Sequence, residues 1–152
     1  MTAKILAVDD EPNITRLVSA TLTARGYEVI TASDGLEAVA KAESRKPDLI
    51  ILDIMMPQMD GREVRRRLAS KPETKDIPIL FLSAVGEFEN QLDSMESGFV
   101  DFLTKPFAPA ELADRVAGIL DPKKRDAYEK ERGKREAKLR AIVEIMHRDK
   151  TE

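Results

Sequence analysis

Apolar residues along the chain form five strand-like segments, separated by stretches in which apolar residues recur at helical spacing. The strand segments cover residues 4–8, 27–32, 49–52, 77–82 and 99–103. The third is apolar throughout, which is typical of a strand buried on both faces. Regular strand–helix alternation indicates a parallel sheet covered on both faces. Right-handed crossovers leave few arrangements, so we predict an α/β fold with a doubly wound five-stranded parallel sheet in the order 2-1-3-4-5.

The helical segments begin and end at recognisable signals. The first is expected to stop near Gly26, because helices commonly end at a glycine in the left-handed backbone conformation. Pro47 ends the second, at residues 34–46, whose predicted inward positions are Leu36, Ala38, Val39 and Ala42. We expect three more helices: a short one carrying Val64 and Leu68, a weaker one at residues 87–97, and one at residues 110–120.

The last segment differs from the rest of the chain. Asp121 and Pro122 are typical of a helix start, and residues 123–148 are mostly charged helix formers. An apolar stripe occurs only near the end, at Leu139, Ile142, Val143 and Met146. We therefore predict a globular domain at residues 1–120, followed by a charged helical extension or linker at residues 121–152.

Charge is unevenly distributed. Residues 121–152 hold 11 Lys/Arg against 8 Asp/Glu, a net charge of +3, and the rest hold 14 against 20, a net charge of −6. An acidic body does not favour nucleic-acid binding by charge. The absence of cysteine excludes disulfides and thiolate zinc sites, and the lone histidine, His147, excludes a multi-histidine metal site. Without a signal peptide or an apolar run of about 18–20 residues, we expect no membrane partner and a cytoplasmic location.

Polar side chains that can bind ligands or take part in catalysis follow four of the predicted strands. Asp9 and Asp10 follow the first, Asp53 the third, Ser83 the fourth and Lys105 the fifth. Because parallel strands build their sites at their carboxyl ends, we expect these side chains at one edge of the sheet. Three neighbouring carboxylates repel one another unless a cation joins them, and ligands that are all oxygen favour Mg²⁺.

This set of groups is suited to phosphoryl transfer onto a carboxylate. Asp53 can act as the nucleophile and form an aspartyl phosphate. The metal and Lys105 can neutralise the phosphoryl oxygens during transfer. A hydroxyl such as that of Ser83 can bind a phosphoryl oxygen in the product.

The chain resembles the receiver domain of two-component response regulators. The matching segments are Asp9-Asp10, Asp53-Ile-Met-Met-Pro57-Gln-Met-Asp60-Gly61, Ser83-Ala84 and Phe102-Leu-Thr-Lys105-Pro106. The resemblance covers residues 1–120 and implies the flavodoxin-like receiver fold. Together the motifs are highly specific, whereas each alone would be weak.

The resemblance implies a role for each matching residue. Asp53 is the phosphoacceptor, and Lys105 pairs with the phosphoryl group. Mg²⁺ is bound by Asp10, Asp53 and the backbone carbonyl of Met55, with Asp9 acting through water. Ser83 is the switch hydroxyl and Phe102 the switch aromatic. The Lys105–Pro106 peptide bond is expected to be cis.

The resemblance also implies a phosphoacceptor, not a turnover enzyme, although one that assists its own phosphorylation and dephosphorylation. Its donor would be a histidine kinase or a phosphotransfer protein. For the output, three alternatives stay open: a stand-alone receiver that contacts an output protein, a homodimer, or a fragment whose output domain is missing. A homodimer could form through the face of the fourth helix, fifth strand and fifth helix, or through the C-terminal helix.

Two other function classes compete with this interpretation. A phosphohydrolase with an aspartyl nucleophile would carry Asp-x-Asp after the first strand, whereas Asp9 and Asp10 are adjacent. An interaction module with a vestigial acidic site would not need the complete set of groups. His147 lacks the flanking pattern of a kinase histidine, and we interpret it as a solvated residue near the helix end.

Overall fold

The structure, a computed structural model, describes residues 2–96 and 100–151. The strands are β1 (Lys4–Val8), β2 (Glu28–Ala32), β3 (Leu49–Asp53), β4 (Ile79–Ala84) and β5 (Val100–Lys105). The helices are α1 (Pro12–Thr23), α2 (Gly35–Arg45), α3 (Gly61–Ala69), α4 (Phe88–Glu96), α5 (Pro109–Leu120) and α6 (Arg125–Thr151). A short 3-10 turn, Pro122–Lys124, joins α5 to α6. None of the described helices is long and apolar enough to cross a membrane.

The strands form one parallel sheet in the order β2-β1-β3-β4-β5, which confirms the predicted topology. Leu6 on β1 lies opposite Ile50 on β3, and Asp53 at the end of β3 lies opposite Leu82 on β4. All five residues of β3 are buried, as the uninterrupted apolar run predicts. This central strand therefore ends among neighbours on both sides.

Alternation along the strands sends side chains to two separate cores. Leu52 and Phe81 face one core, which is closed by residues of α2, α3 and α4. Ile51 and Leu82 face the other, which is closed by α1 and α5. The sheet is thus covered on both faces, and its carboxyl-end edge remains open for a site.

Several element boundaries differ from those predicted from the sequence. β4 runs from Ile79 to Ala84 instead of over residues 77–82, and β5 extends to Lys105. Both strands therefore end later than predicted and include the predicted site residues Ser83 and Lys105. The predicted inward position of Leu36 is wrong, because its side chain is 64% exposed at the first turn of α2. The predicted left-handed residue, Gly26, does have a positive φ of 94°. The predicted helix end at Ser97 and strand start at Phe99 lie outside the described residues.

Helix α6 packs back on the domain, along α4 and α5. Leu139 and Val143 from the predicted stripe are buried in the core of the α4 side, together with Leu92 and Met95 of α4. Arg132 donates a hydrogen bond to the backbone carbonyl of Met95. The helix therefore covers the face formed by α4, β5 and α5.

A buried carboxylate on β5 holds the first half of α6. Asp101 accepts hydrogen bonds from the Tyr128 hydroxyl at 2.9 Å and from the Arg135 guanidinium. Arg115 on α5 lies 3.8 Å from the same carboxylate. A fully buried aspartate is stable only when it is paired in this way. α6 is thus anchored by a polar cluster at one end and by apolar side chains at the other.

Candidate functional site

Three carboxylates meet at the carboxyl-end edge of the sheet. Asp9 follows β1 and is 2% exposed, Asp53 ends β3 and is 4% exposed, and Asp10 is exposed to solvent. Each residue offers a carboxylate oxygen, and these oxygens all lie within 4.8 Å of one another. The structure thus brings together the three acids that the sequence places at strand ends.

Lys105 at the end of β5 reaches into this acidic cluster. Its Nζ atom lies 2.8 Å from Asp9 Oδ2, 3.4 Å from Asp53 Oδ2 and 3.6 Å from Glu11 Oε1. Its side chain is 16% exposed, so solvent screens these ion pairs only in part. The following Lys105–Pro106 peptide bond is cis, as expected.

Burial shapes the acid–base properties of the cluster. Burial, which removes the carboxylate from solvent, raises the pKa of Asp53 to about 7, and the negative charge of Asp9 is the second largest cause of this increase. Burial also raises the pKa of Asp9, although Lys105 opposes that shift. Burial alone would lower the pKa of Lys105, but the ion pairs with Asp9 and Asp53 outweigh it and raise the pKa. The site therefore carries more carboxylate than one ammonium group compensates, which favours a second cation.

The hydrogen bonds of the acids leave oxygen atoms available to such a cation. Asp9 Oδ1 accepts from the backbone N–H of Glu11 at 2.9 Å, and Asp53 Oδ1 accepts from that of Met55 at 3.2 Å. The other oxygen of Asp9, Oδ2, is buried and forms an ion pair with Lys105 Nζ at 2.8 Å. Carboxylate oxygens from three residues that lie within 4.8 Å of one another suit a hard divalent cation.

The loop after β3 brings its backbone close to the acids. The Met55 side chain is 56% exposed, so the candidate metal contact of this residue involves only its backbone. Asp60 caps α3 by accepting from the Glu63 N–H at 3.0 Å. A Cβ atom on the next residue, Gly61, would lie 2.4 Å from the carbonyl oxygen of Asp53. Gly61 therefore lets α3 start directly against the backbone of Asp53.

The two predicted switch residues, Ser83 on β4 and Phe102 on β5, are both buried. Ser83 is 1% exposed, and its Oγ accepts a hydrogen bond from the Gln91 side chain at 2.8 Å. Among residues 2–96 and 100–151, no hydrogen bond joins Ser83 to Asp53. The Phe102 ring is 9% exposed, with the Arg115 guanidinium 6.0 Å from its centroid. The aromatic ring is thus already buried in this structure.

Sequence reasoning missed two polar residues, Gln91 and Asp101. Gln91 lies on α4 and Asp101 on β5, and both are buried. Polar residues on a helix and within a strand usually indicate solvent exposure, so their pattern favoured a surface position. Only the hydrogen-bond partners, Ser83 for one and Tyr128 with Arg135 for the other, explain their burial.

Known proteins resemble this chain across its globular part. The alkaline phosphatase synthesis transcriptional regulatory protein PhoP of Bacillus subtilis (strain 168) is 48% identical over 120 residues, which are 79% of this chain and 49% of PhoP. The response regulator PleD of Caulobacter vibrioides (strain NA1000 / CB15N) is 45% identical over 119 residues, which are 78% of this chain and 26% of PleD. The chain thus spans about half the length of PhoP and a quarter of PleD.

A solved structure has the same fold. The structure of the Vibrio cholerae chemotaxis protein CheY4 matches with a TM-score of 0.74 and 40% identity, covering 79% of this chain and 100% of CheY4. The family model of the response regulator receiver domain matches residues 5–117, from β1 into α5. On its sequence, its sheet order and this match, the chain belongs to the response regulator receiver family of two-component signal transduction.

Proposed function

We propose that the chain accepts a phosphoryl group on Asp53 in a Mg²⁺-dependent reaction, with a histidine kinase or a phosphotransfer protein as donor. The observation that carries this proposal is the environment of the Asp53 carboxylate. It is buried at the sheet edge, 3.4 Å from Lys105 Nζ and beside the carboxylates of Asp9 and Asp10. An acceptor carboxylate needs cations that neutralise the incoming phosphoryl oxygens, and this edge supplies one and has ligands for another.

Asp10, Asp53 and the backbone carbonyl of Met55 would bind Mg²⁺ directly, and Asp9 would act through a water molecule. The three neighbouring carboxylates and the exclusively oxygen donor set support a hard cation. When bound, Mg²⁺ supplies positive charge next to the phosphoryl oxygens.

Transfer forms a bond between an Asp53 carboxylate oxygen and phosphorus, while the phosphorus–nitrogen bond of the donor phosphohistidine breaks. The bonding electrons leave with the donor nitrogen. The Lys105 ammonium group then stabilises the negative charge on the phosphoryl oxygens. Because the acceptor is the protein's own side chain, the chain acts as a phosphoacceptor. With Lys105 and the cation at the same site, it would assist its own phosphorylation and dephosphorylation.

Phosphorylation adds nearly two negative charges at Asp53. We infer that the Ser83 hydroxyl then turns toward the phosphoryl group, and that the loop after β4 follows. Phe102 is already buried beneath the face that α6 covers. We therefore expect the ring to change its position among α4, α5 and α6 and not to move in from solvent.

The position of α6 bears on the output. We treat residues 1–120 as the receiver and residues 121–152 as its helical extension. Since α6 occupies the α4–β5–α5 face, a homodimer through that face requires α6 to leave, whereas a dimer through the outer side of α6 does not. Whether the output is an output protein, a dimer or an output domain, α6 is the element through which the phosphorylated site would act.

Intact-protein mass spectrometry after incubation with acetyl phosphate and Mg²⁺ tests the proposal. We expect the wild type to gain one phosphoryl group, and Asp53→Asn and the metal-free sample to gain none. Asp126→Asn, which removes an exposed carboxylate on α6, is the matched control and should behave as wild type. Modification of Asp53→Asn at the wild-type level would contradict the assignment.

A wild type that neither gains the group, from acetyl phosphate or from a histidine kinase, nor binds Mg²⁺ would identify an interaction module with a vestigial site. Hydrolysis of a generic phosphate ester with turnover would instead indicate a phosphohydrolase.

A further inference from the structure

Gln91 connects α4 to the ends of two strands. Its side chain is 3% exposed, and Nε2 lies 2.8 Å from Ser83 Oγ and 3.3 Å from Thr104 Oγ1. Ser83 and Thr104 are paired in register across β4 and β5. An amide nitrogen carries two hydrogens and no acceptor, so it can donate to both hydroxyl oxygens. A single buried side chain thus binds the hydroxyl that we propose as the switch.

The alternation of side chains explains which way Ser83 points. Phe81, two positions before Ser83 on β4, faces the core on the α4 side, and Ser83 follows it on the same face. Asp53 is two positions after Ile51, which faces the opposite core. Ser83 and Asp53 therefore start from opposite faces of the sheet, and Ser83 Oγ must rotate before it reaches a group on Asp53.

We propose that Gln91 is a positioning residue that holds the Ser83 hydroxyl toward α4, so that a phosphoryl group on Asp53 has to compete with Gln91 for it. This inference rests on the proposed function of Asp53. The present hydrogen bond stabilises the unphosphorylated arrangement. Its loss is part of the cost of switching, because a ligand shifts a two-state equilibrium only by its differential interaction with the two states.

The same contact links the site to α6. α4 carries Gln91, the adjacent Leu92 and, one turn further on, Met95, and the two apolar residues pack in one cluster with Leu139 and Val143 of α6. When Ser83 leaves Gln91, α4 loses a buried hydrogen bond to the sheet edge. The connection then runs from Asp53 through Ser83 and Gln91 to α4, and from α4 to the C-terminal helix.

The test measures binding of beryllium trifluoride, a phosphoryl mimic, with Mg²⁺ to the full chain by ¹⁹F NMR. Gln91→Met keeps the length and volume of the side chain but removes its donor. We expect it to bind the mimic about fivefold more tightly than wild type, because one neutral hydrogen bond no longer opposes the switch. Thermal unfolding shows whether the variant is folded, and Gln91→Leu serves as a second donor-free variant.

A double-mutant cycle separates this role from a general structural effect. In a Ser83→Ala background there is no hydroxyl to hold, so Gln91→Met should leave the affinity for the mimic unchanged. Equal or weaker binding by both donor-free variants, or the same tightening in the Ser83→Ala background, would overturn the inference. If the wild type binds the mimic only as well as Asp53→Asn does, the proposed function fails and the inference falls with it. A wild type that binds normally, with no effect of Gln91, removes the inference alone.

Discussion

Tyr128 donates its hydroxyl hydrogen to Asp101 at 2.9 Å, across 27 positions of the sequence. Asp101 is a buried residue of β5, and Tyr128 lies at the start of α6. The hydrogen bond therefore joins the helical extension to the interior of the receiver sheet. It also orients the first turns of α6 so that Leu139 reaches the core further along the same helix.

Tyr128→Phe should destabilise the protein. The substitution removes a hydrogen bond to a buried carboxylate and keeps the ring, and hydrogen bonds to charged groups contribute about 1.5–3 kcal/mol. Urea unfolding should therefore show a loss of about that size. Tyr27→Phe is the matched control, because the Tyr27 hydroxyl makes no hydrogen bond to any described residue, and its stability should change by less than about 0.5 kcal/mol. Equal losses in the two variants would contradict the role of the Asp101 contact.

The same contact should make stability depend on alkaline pH. Burial, followed by the negative charge of Asp101, raises the pKa of the Tyr128 hydroxyl above its ordinary value. The folded state then keeps a proton that the unfolded state releases near pH 10. This stabilising contribution is complete below about pH 10 and is lost as the pH rises further. The free energy of unfolding, measured with denaturant between pH 9 and pH 11, should fall more steeply with pH for wild type than for Tyr128→Phe. Parallel curves for the two proteins would refute the assignment.

Two glycines should respond in opposite directions to substitution by alanine. A Cβ on Gly118 of α5 would lie 2.7 Å from Cδ2 and 3.0 Å from Cβ of Tyr128, so α6 has to shift. A Cβ on Gly133 of α6 would meet nothing within 4 Å. We expect Gly118→Ala to lower the thermal midpoint, since overpacking costs about 1–3 kcal/mol. Gly133→Ala should raise the free energy of unfolding by about 0.5–1 kcal/mol through helix propensity. A stabilised Gly118→Ala variant would mean that α6 does not lie against α5.

Mg²⁺ affinity should increase with pH around neutrality. Burial and the charge of Asp9 raise the pKa of Asp53 to about 7 in the metal-free protein, so a proton and the cation compete for the carboxylate. Lowering the pH from 8 to 6 should weaken Mg²⁺ binding about tenfold, as measured by calorimetric titration. Asp53→Asn should bind the metal more weakly and without this dependence. An affinity that is constant over this range would show that Asp53 is not the titrating ligand.

Strand order and the position of the acids were predictable because both depend on local pattern. Leu49–Asp53 is apolar until its last residue, and a central parallel strand ends where ligands bind. Asp9 and Lys105 also end strands, so the common direction of the strands was enough to bring them together. Leu36 was predicted to be buried because it lies in an apolar pattern, but the first turn of α2 leaves it outside the core.

The sequence by itself determined the fold class, the sheet order and the presence of carboxylates and a lysine at one edge of the sheet. These features follow from the periodicity of the strands and from their parallel direction, which the local pattern of strands and helices indicates. Only the tertiary structure decided where α6 lies, which partner Ser83 takes and why Asp101 is buried. Most residues of α6 are charged, so its docking depends on polar partners from β5 and α4 as well as on the buried Leu139 and Val143, and these contacts join residues that are far apart in sequence. Hydrogen bonds such as Gln91–Ser83 need two side chains within 3 Å in the folded chain, and no spacing of residues along the sequence specifies that distance.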